Sequence, residues 1–167
     1  MISGGQTGVD RGALDAALEL GFGCGGWCPR GRLAEDGRIP EHYPLTELPD
    51  GGYAVRTARN VADSDGTLII ANGPPIGGTR ETVERCIETQ KPYLMIDAQS
   101  ASIETAIEQA VEFVLSLSHS GLGIKTVLNV AGPRASQWPN GRAIAREIVV
   151  ALLQRLSGHR GSDVYSA

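Results

Sequence analysis

A chain of 167 residues, 41% hydrophobic and 20% charged, is the size of one domain whose core needs no disulfide or metal staple. Its 15 basic residues against 19 acidic ones leave a net charge of -4, which excludes general affinity for nucleic acid or an anionic membrane, so any anion site must be local. Three cysteines without framework spacing, and no apolar run near the ~20 residues of a membrane span, point to a soluble cytoplasmic protein.

Met1-Ile2-Ser3 reads as the stub of a first strand, so close to the following loop that the native start is expected further upstream. The segment from Ser3 to Arg11, Ser-Gly-Gly-Gln-Thr-Gly-Val-Asp-Arg, is a glycine-rich turn directly before a helical pattern. Two readings of it stand side by side. Gly4, Gly5 and Gly8 let backbone approach a ligand, and the helix behind them offers unpaired N–H groups and the positive end of its dipole to an anion. Alternatively, Thr7 is an N-cap and Asp10 the reciprocal acid of a capping box, with no ligand involved.

The first helix covers Ala13 to Leu20 and stops at Gly21, and Cys24 to Cys28 suits a short strand. Cys24 and Cys28 lack a second Cys or His pair and read as buried small hydrophobes, so no metal site is expected. Pro29 to Gly52, holding four prolines, is expected as an irregular segment, either a functional covering or a mobile one. The pattern then predicts a helix over Tyr53 to Ala62, a doubly covered strand at Thr67 to Ala71, and a helix from Arg80 to Thr89. A strand at Pro92 to Asp97 precedes a helix with Ile103, Ile107, Val111, Val114 and Leu115 on one face. Thr126 to Ala131 gives the last strand, and Ile144, Ile148, Leu152 and Leu156 mark the last helix. Residues 1–157 therefore form a single α/β domain, a Rossmann-like three-layer sandwich with a mostly parallel sheet covered on both faces, and 158–167 a flexible tail.

In such a sheet ligands bind beyond the carboxyl ends of the strands. Three unusual loops sit there, Gly4 to Gly8, Gly73 to Thr79 and Gly132 to Gly141, and three helix N-termini converging on one crevice favour phosphate or another oxyanion. Of Arg11, Arg30, Arg32, Arg80 and Arg134, the first and last stand within or beside glycine loops and are preferred as anion ligands. Trp27 and Trp138 are candidates for stacking on a planar heterocycle, core packing being the other reading for Trp27. Asp10 and Glu81 fall in first helical turns, where the dipole explains them; either serves as a general base if desolvated. No Ser-His-Asp set, Walker loop or Gly-x-Gly-x-x-Gly fingerprint is present.

The run Gly4 to Asp15, with Gly26-Trp27-Cys28-Pro29-Arg30-Gly31-Arg32, Ala34-Glu35-Asp36-Gly37, Arg56-Thr57-x-x-Asn60-Val61, Asp63 to Leu68, Gly77-Gly78-Thr79 and Lys91-Pro92, resembles the putative molybdenum cofactor carrier family. That family is similar to the Rossmann-type superfamily that includes the lysine-decarboxylase-like, cytokinin-activating phosphoribohydrolases. The resemblance implies a modified Rossmann fold, a homo-oligomer, and a pocket for a phosphorylated pterin or nucleotide, with molybdenum cofactor as the ligand of the carrier branch. The phosphoribohydrolase signature Pro-Gly-Gly-x-Gly-Thr-x-x-Glu is broken here. Thr82 stands at the glutamate position and Glu81 one residue early, a rotation of about 100° on a helix. The expectation is a non-catalytic binding protein with Gly4, Gly5, Gln6, Thr7, Gly8, Arg11, Gly77, Gly78, Thr79 and Arg134 on the ligand. The alternative is an N-glycoside hydrolase of nucleoside monophosphates using Glu81 or Asp10.

Overall fold

The computed structural model describes residues 1–117 and 126–162. Its sheet is built on β5 (Gly66–Ala71), flanked by β6 (Tyr93–Asp97) on one side and β7 (Leu128–Ala131) on the other, all parallel. The stub at the N-terminus extends this sheet: Ile2 pairs in parallel with Asn129 of β7 and with Gly25. Gly25 leads into β1 (Trp27–Cys28), which pairs in parallel with β4 (Thr46–Glu47).

Alternation assigns the two faces. Leu68, Ile70, Ile96, Leu128 and Val130 point into a core shared with α1 (Val9–Glu19), α4 (Ile103–Leu117) and α5 (Gly141–Ser162). Thr67 points the other way, toward Cys86 of α3 (Gly77–Glu88), which packs beside α2 (Tyr53–Ala62). All six residues of β5 are buried, as the apolar run predicts for a strand covered on both sides. The Rossmann-like α/β architecture expected from the strand and helix alternation is the one observed.

Three local expectations are corrected. Pro29 to Gly52 is not irregular: a 3₁₀ turn at Arg30–Arg32, an antiparallel pair of β2 (Leu33–Ala34) with β3 (Gly37–Arg38), and β4 organise it around a second small core of Leu14, Cys28, Ala34, Ile39, Tyr43 and Leu45. Arg32 supplies the reason. Its buried guanidinium donates to the carbonyls of Ile39, Pro40, Tyr43 and Leu45 at 3.0–3.2 Å, satisfying a chain reversal that lacks enough ladder partners of its own. Arg32 is thus a strut rather than an anion ligand. The helix predicted from Arg80 begins at Gly77, whose positive φ of 51° a glycine adopts readily, so both glycines belong to its first turn. Finally, α5 runs on through Ser162, into the segment expected as a tail; residues 163–167 of that expectation lie outside the described residues.

Candidate ligand-binding cleft

At the carboxyl ends of β5, β7 and the N-terminal stub lies a cleft of about 360 Å³. Gln6 and Asp10 come to it from the first glycine loop and α1, Gly77, Gly78, Thr79, Glu81 and Thr82 from α3, and Ala131, Gly132, Arg134 and Gln137 from the third loop. The fourth contribution is α2, with Tyr53, Arg56 and Thr57. Their spacing of three and four residues puts these side chains on one helical face.

Arg56 is the centre of the arrangement. Its Nη1 donates to Asp10 Oδ2 at 2.9 Å, with the two side chains 12% and 3% exposed. The carboxylate also accepts the Gln6 N–H at 3.2 Å. Burial pushes the Asp10 carboxyl above its ordinary range, against the opposing pull of the Arg56 charge. The guanidinium lies so close to the Gly4 backbone that a methyl group there would collide with Nη1. Gly4 therefore makes room for a protein cation rather than for a ligand.

Two buried polar atoms have no hydrogen-bond partner among the described residues, Arg56 Nε and Thr79 Oγ1, and both side chains line this cleft. An orphaned buried donor costs roughly 1–3 kcal/mol, which singles out these two side chains as candidates for ligand contact. Behind Thr79 is the start of α3, whose N-cap residue, Ile76, provides no side-chain cap. The first turn of α3 therefore has no side-chain cap, and its Gly77 and Gly78 both line the cleft.

The first loop has a different fate. Gly8, not Thr7, is the N-cap of α1, and it makes no side-chain cap. The capping-box expectation is corrected on both members: Thr7 Oγ1 donates to Glu35 and accepts the Ala135 N–H at 3.1 Å, and Asp10 faces Arg56. Glu35 also receives the Ser136 N–H at 3.0 Å and the Ser136 hydroxyl, with Arg134 Nε 3.7 Å away. Burial pushes the Glu35 carboxyl up, but the hydrogen bonds from Ser136 and Thr7 outweigh it and hold it below the usual glutamate range. Gly8, at φ 78°, leaves no space for a side chain, since a Cβ would meet the Pro133 carbonyl and the Ala135 nitrogen. Gly5 packs on Leu45 and Ile39. Arg11, preferred from sequence as an anion ligand, is 7% exposed and bound by a bidentate pair to Asp36 at 2.6 and 2.8 Å, with Nε on the Gly5 carbonyl. The Arg11 hydrogen bonds draw the Asp36 carboxyl below its ordinary value.

Of the residues expected on a ligand, Gln6, Gly77, Gly78, Thr79 and Arg134 share the cleft, while Gly4, Gly5, Thr7, Gly8 and Arg11 form the wall behind it. Arg30 and Arg80 are exposed and outside it. Neither tryptophan offers a stacking face there. Trp138 is buried in the main core, and Trp27 donates its indole N–H to Asp63 at 2.7 Å beneath the Arg59 guanidinium. Sequence reasoning missed Arg56, Tyr53, Thr57 and Gln137. The only signal for the first was the Arg56-Thr57-x-x-Asn60 run, of which Asn60 clamps the Trp27 backbone through both its amide atoms.

A parallel α/β sheet with a cleft at its carboxyl edge, walled by glycine-rich helix starts, is the architecture of a Rossmann-type α/β domain. The chain belongs to the circularly permutated YpsA SLOG family, whose model matches residues 1–153. It is also similar to a solved structure from Syntrophus aciditrophicus SB described as a putative molybdenum carrier protein, with 44% identity, a TM-score of 0.85, and coverage of 91% of this chain and 92% of that one. No curated protein matches the chain. Among the described residues no helix is long and apolar enough to cross a membrane, and no group of three His, Cys, Asp or Glu is placed to hold a metal ion.

Proposed function

We propose that this protein binds a small phosphorylated ligand, of the pterin or nucleotide kind, with the anion seated against Arg56, Thr79 and the first turn of α3. The observation that carries the reading is the pair of partnerless buried atoms, Arg56 Nε and Thr79 Oγ1, in one cleft with an uncapped helix start. Selectivity for the anion comes from aimed donors rather than bulk charge, because Asp10 already balances Arg56 and Arg134 leans on Glu35.

Molybdenum cofactor, a phosphorylated pterin, is a ligand of this chemistry, and the name of the 44% identical neighbour supports it as cargo. The cleft lining contains no Cys or His, so such a cargo keeps its metal on its own pterin sulfurs while the protein holds the phosphate and the ring. The reading is one of binding rather than catalysis: Asp10 is held in an ion pair and is not free to act as a base. Titration calorimetry with inorganic phosphate and nucleoside monophosphates tests it. Saturable binding that weakens at least tenfold in Arg56→Met supports the pocket, and a protein that takes up neither contradicts it. The hydrolase alternative is favoured by one observation, Glu81 on the cleft wall with no ion pair among the described residues. Release of free base from a nucleoside monophosphate, abolished in Glu81→Gln, would establish that activity.

A further inference from the structure

The anion pocket proposed above uses Arg56, Thr79 and the start of α3, and two further cleft side chains, Tyr53 and Glu81, have no protein partner among the described residues. Tyr53 opens α2 and is 44% exposed. It shares a face with Arg56 and Thr57, and because these are far more buried, the row runs from the open end of the cleft at Tyr53 to its floor. Its ring is in none of the aromatic or cation contacts of the described residues. Glu81 lies one turn beyond Gly77 and Gly78, half-buried on the cleft wall, with no hydrogen bond or ion pair among those residues. A carboxylate beside an anion pocket repels the anion itself, so what Glu81 can add to binding is an acceptor for N–H groups elsewhere on the same ligand.

We propose that Tyr53 and Glu81 form a ring subsite, in which Tyr53 stacks on a planar heterocycle and Glu81 accepts the paired N–H groups of a 2-amino-4-oxopyrimidine edge, the edge shared by guanine and pterins. The inference rests on the anion pocket proposed above and specifies the rest of its ligand. Two carboxylate oxygens match two parallel N–H donors; adenine sets only one amino donor there, beside a ring nitrogen whose lone pair opposes Glu81. Gln6 supports the same choice. Its Oε1 accepts the Thr7 and Glu35 N–H groups at 3.0 and 2.9 Å, which fixes its Nε2 as a donor at the cleft, the partner an oxo group requires.

Calorimetric titration with inorganic phosphate, AMP, GMP and neopterin monophosphate tests the subsite. GMP is expected to bind at least about tenfold more tightly than AMP and more tightly than phosphate. Tyr53→Ala should weaken GMP by roughly 5- to 100-fold while leaving phosphate unchanged, and Tyr53→Phe should retain GMP. Glu81→Gln should bring the GMP to AMP ratio toward one, and Glu84→Gln, on an exposed part of α3, should leave it as in the wild type. Neopterin monophosphate binding above GMP assigns the edge to a pterin, and the reverse order assigns it to a purine. Phosphate binding with GMP no tighter than AMP, or with Tyr53→Ala indistinguishable from wild type, overturns the ring subsite alone. Failure of phosphate and of every ring ligand to bind overturns the anion pocket, and the ring subsite with it.

Discussion

The loop at Gly4 to Gly8 and the loop at Gly77 to Thr79 both place glycines and a threonine at the start of a helix, but the protein treats them oppositely. In the first, Thr7, Asp10 and Arg11 all have protein partners, Thr7 on Glu35 and Ala135, Asp10 on Arg56, Arg11 on Asp36, and Gln6 is the side chain left at the cleft. In the second, the hydroxyl of Thr79 is buried with no partner, and Ile76 provides no cap. A glycine-rich helix start is therefore a site only to the extent that the rest of the chain leaves its donors unmet. Here the first loop builds most of the wall and the second lines the cleft with an unmet hydroxyl.

Substitutions can break or sharpen that contrast. Arg56→Met should have the largest effect, because it removes a guanidinium that lines the cleft and leaves the Asp10 carboxylate buried without its cation. Stability at neutral pH should fall by about 3–4 kcal/mol in urea unfolding. The deficit should shrink as the pH is lowered through the raised Asp10 value, since the protonated acid no longer needs a cation. A deficit constant from pH 7 to 4 would mean that the buried pair is not its origin. Gly8→Ala comes next, at about 2–3 kcal/mol, from positive φ and the backbone of Pro133 and Ala135 behind it. Its residual binding of phosphate should be intact below the unfolding transition, because Gly8 belongs to the wall.

Glu35→Gln should be milder, roughly 1 kcal/mol, since an amide keeps one acceptor for the Ser136 and Thr7 donors. Its pH signature carries the information. A carboxyl held below its ordinary value contributes stability that is complete above that value, 4.5 for glutamate, and is lost as pH falls through the lowered folded one. Wild type and Glu35→Gln should thus converge in stability below about pH 4.5, and a gap that persists into strong acid would show that Glu35 acts through packing alone.

Much of the fold was legible because burial imposes periodicity: the buried run of β5, the helical spacing of α2 and α4, and the strand and helix alternation that implies a parallel sheet. The segment from Pro29 to Gly52 was not, since its order comes from one buried guanidinium bridging four carbonyls, and an arginine in sequence looks the same whether it is a strut or solvated. The site was legible to the same depth. The three loops were visible as glycine clusters at predicted strand ends. Which of their donors the protein would satisfy itself depended on Glu35 and Asp36, some 30 residues away in a segment with no periodic signal. Arg56 was missed because it sits mid-helix in α2, where an arginine is ordinarily solvated, and its place becomes apparent only with Gly4 and Asp10 against it.

The claim that Thr79 is kept for a ligand has a direct test in Thr79→Val, which exchanges the orphaned hydroxyl for a methyl of nearly the same shape. Unfolding free energy without ligand and affinity for phosphate are measured on the same preparation. The account predicts unchanged or slightly higher stability, because an unpartnered buried group is removed, together with binding weakened by about 5- to 15-fold. Lower stability with unaltered binding would contradict it, and would make Thr79 a structural residue like Thr7.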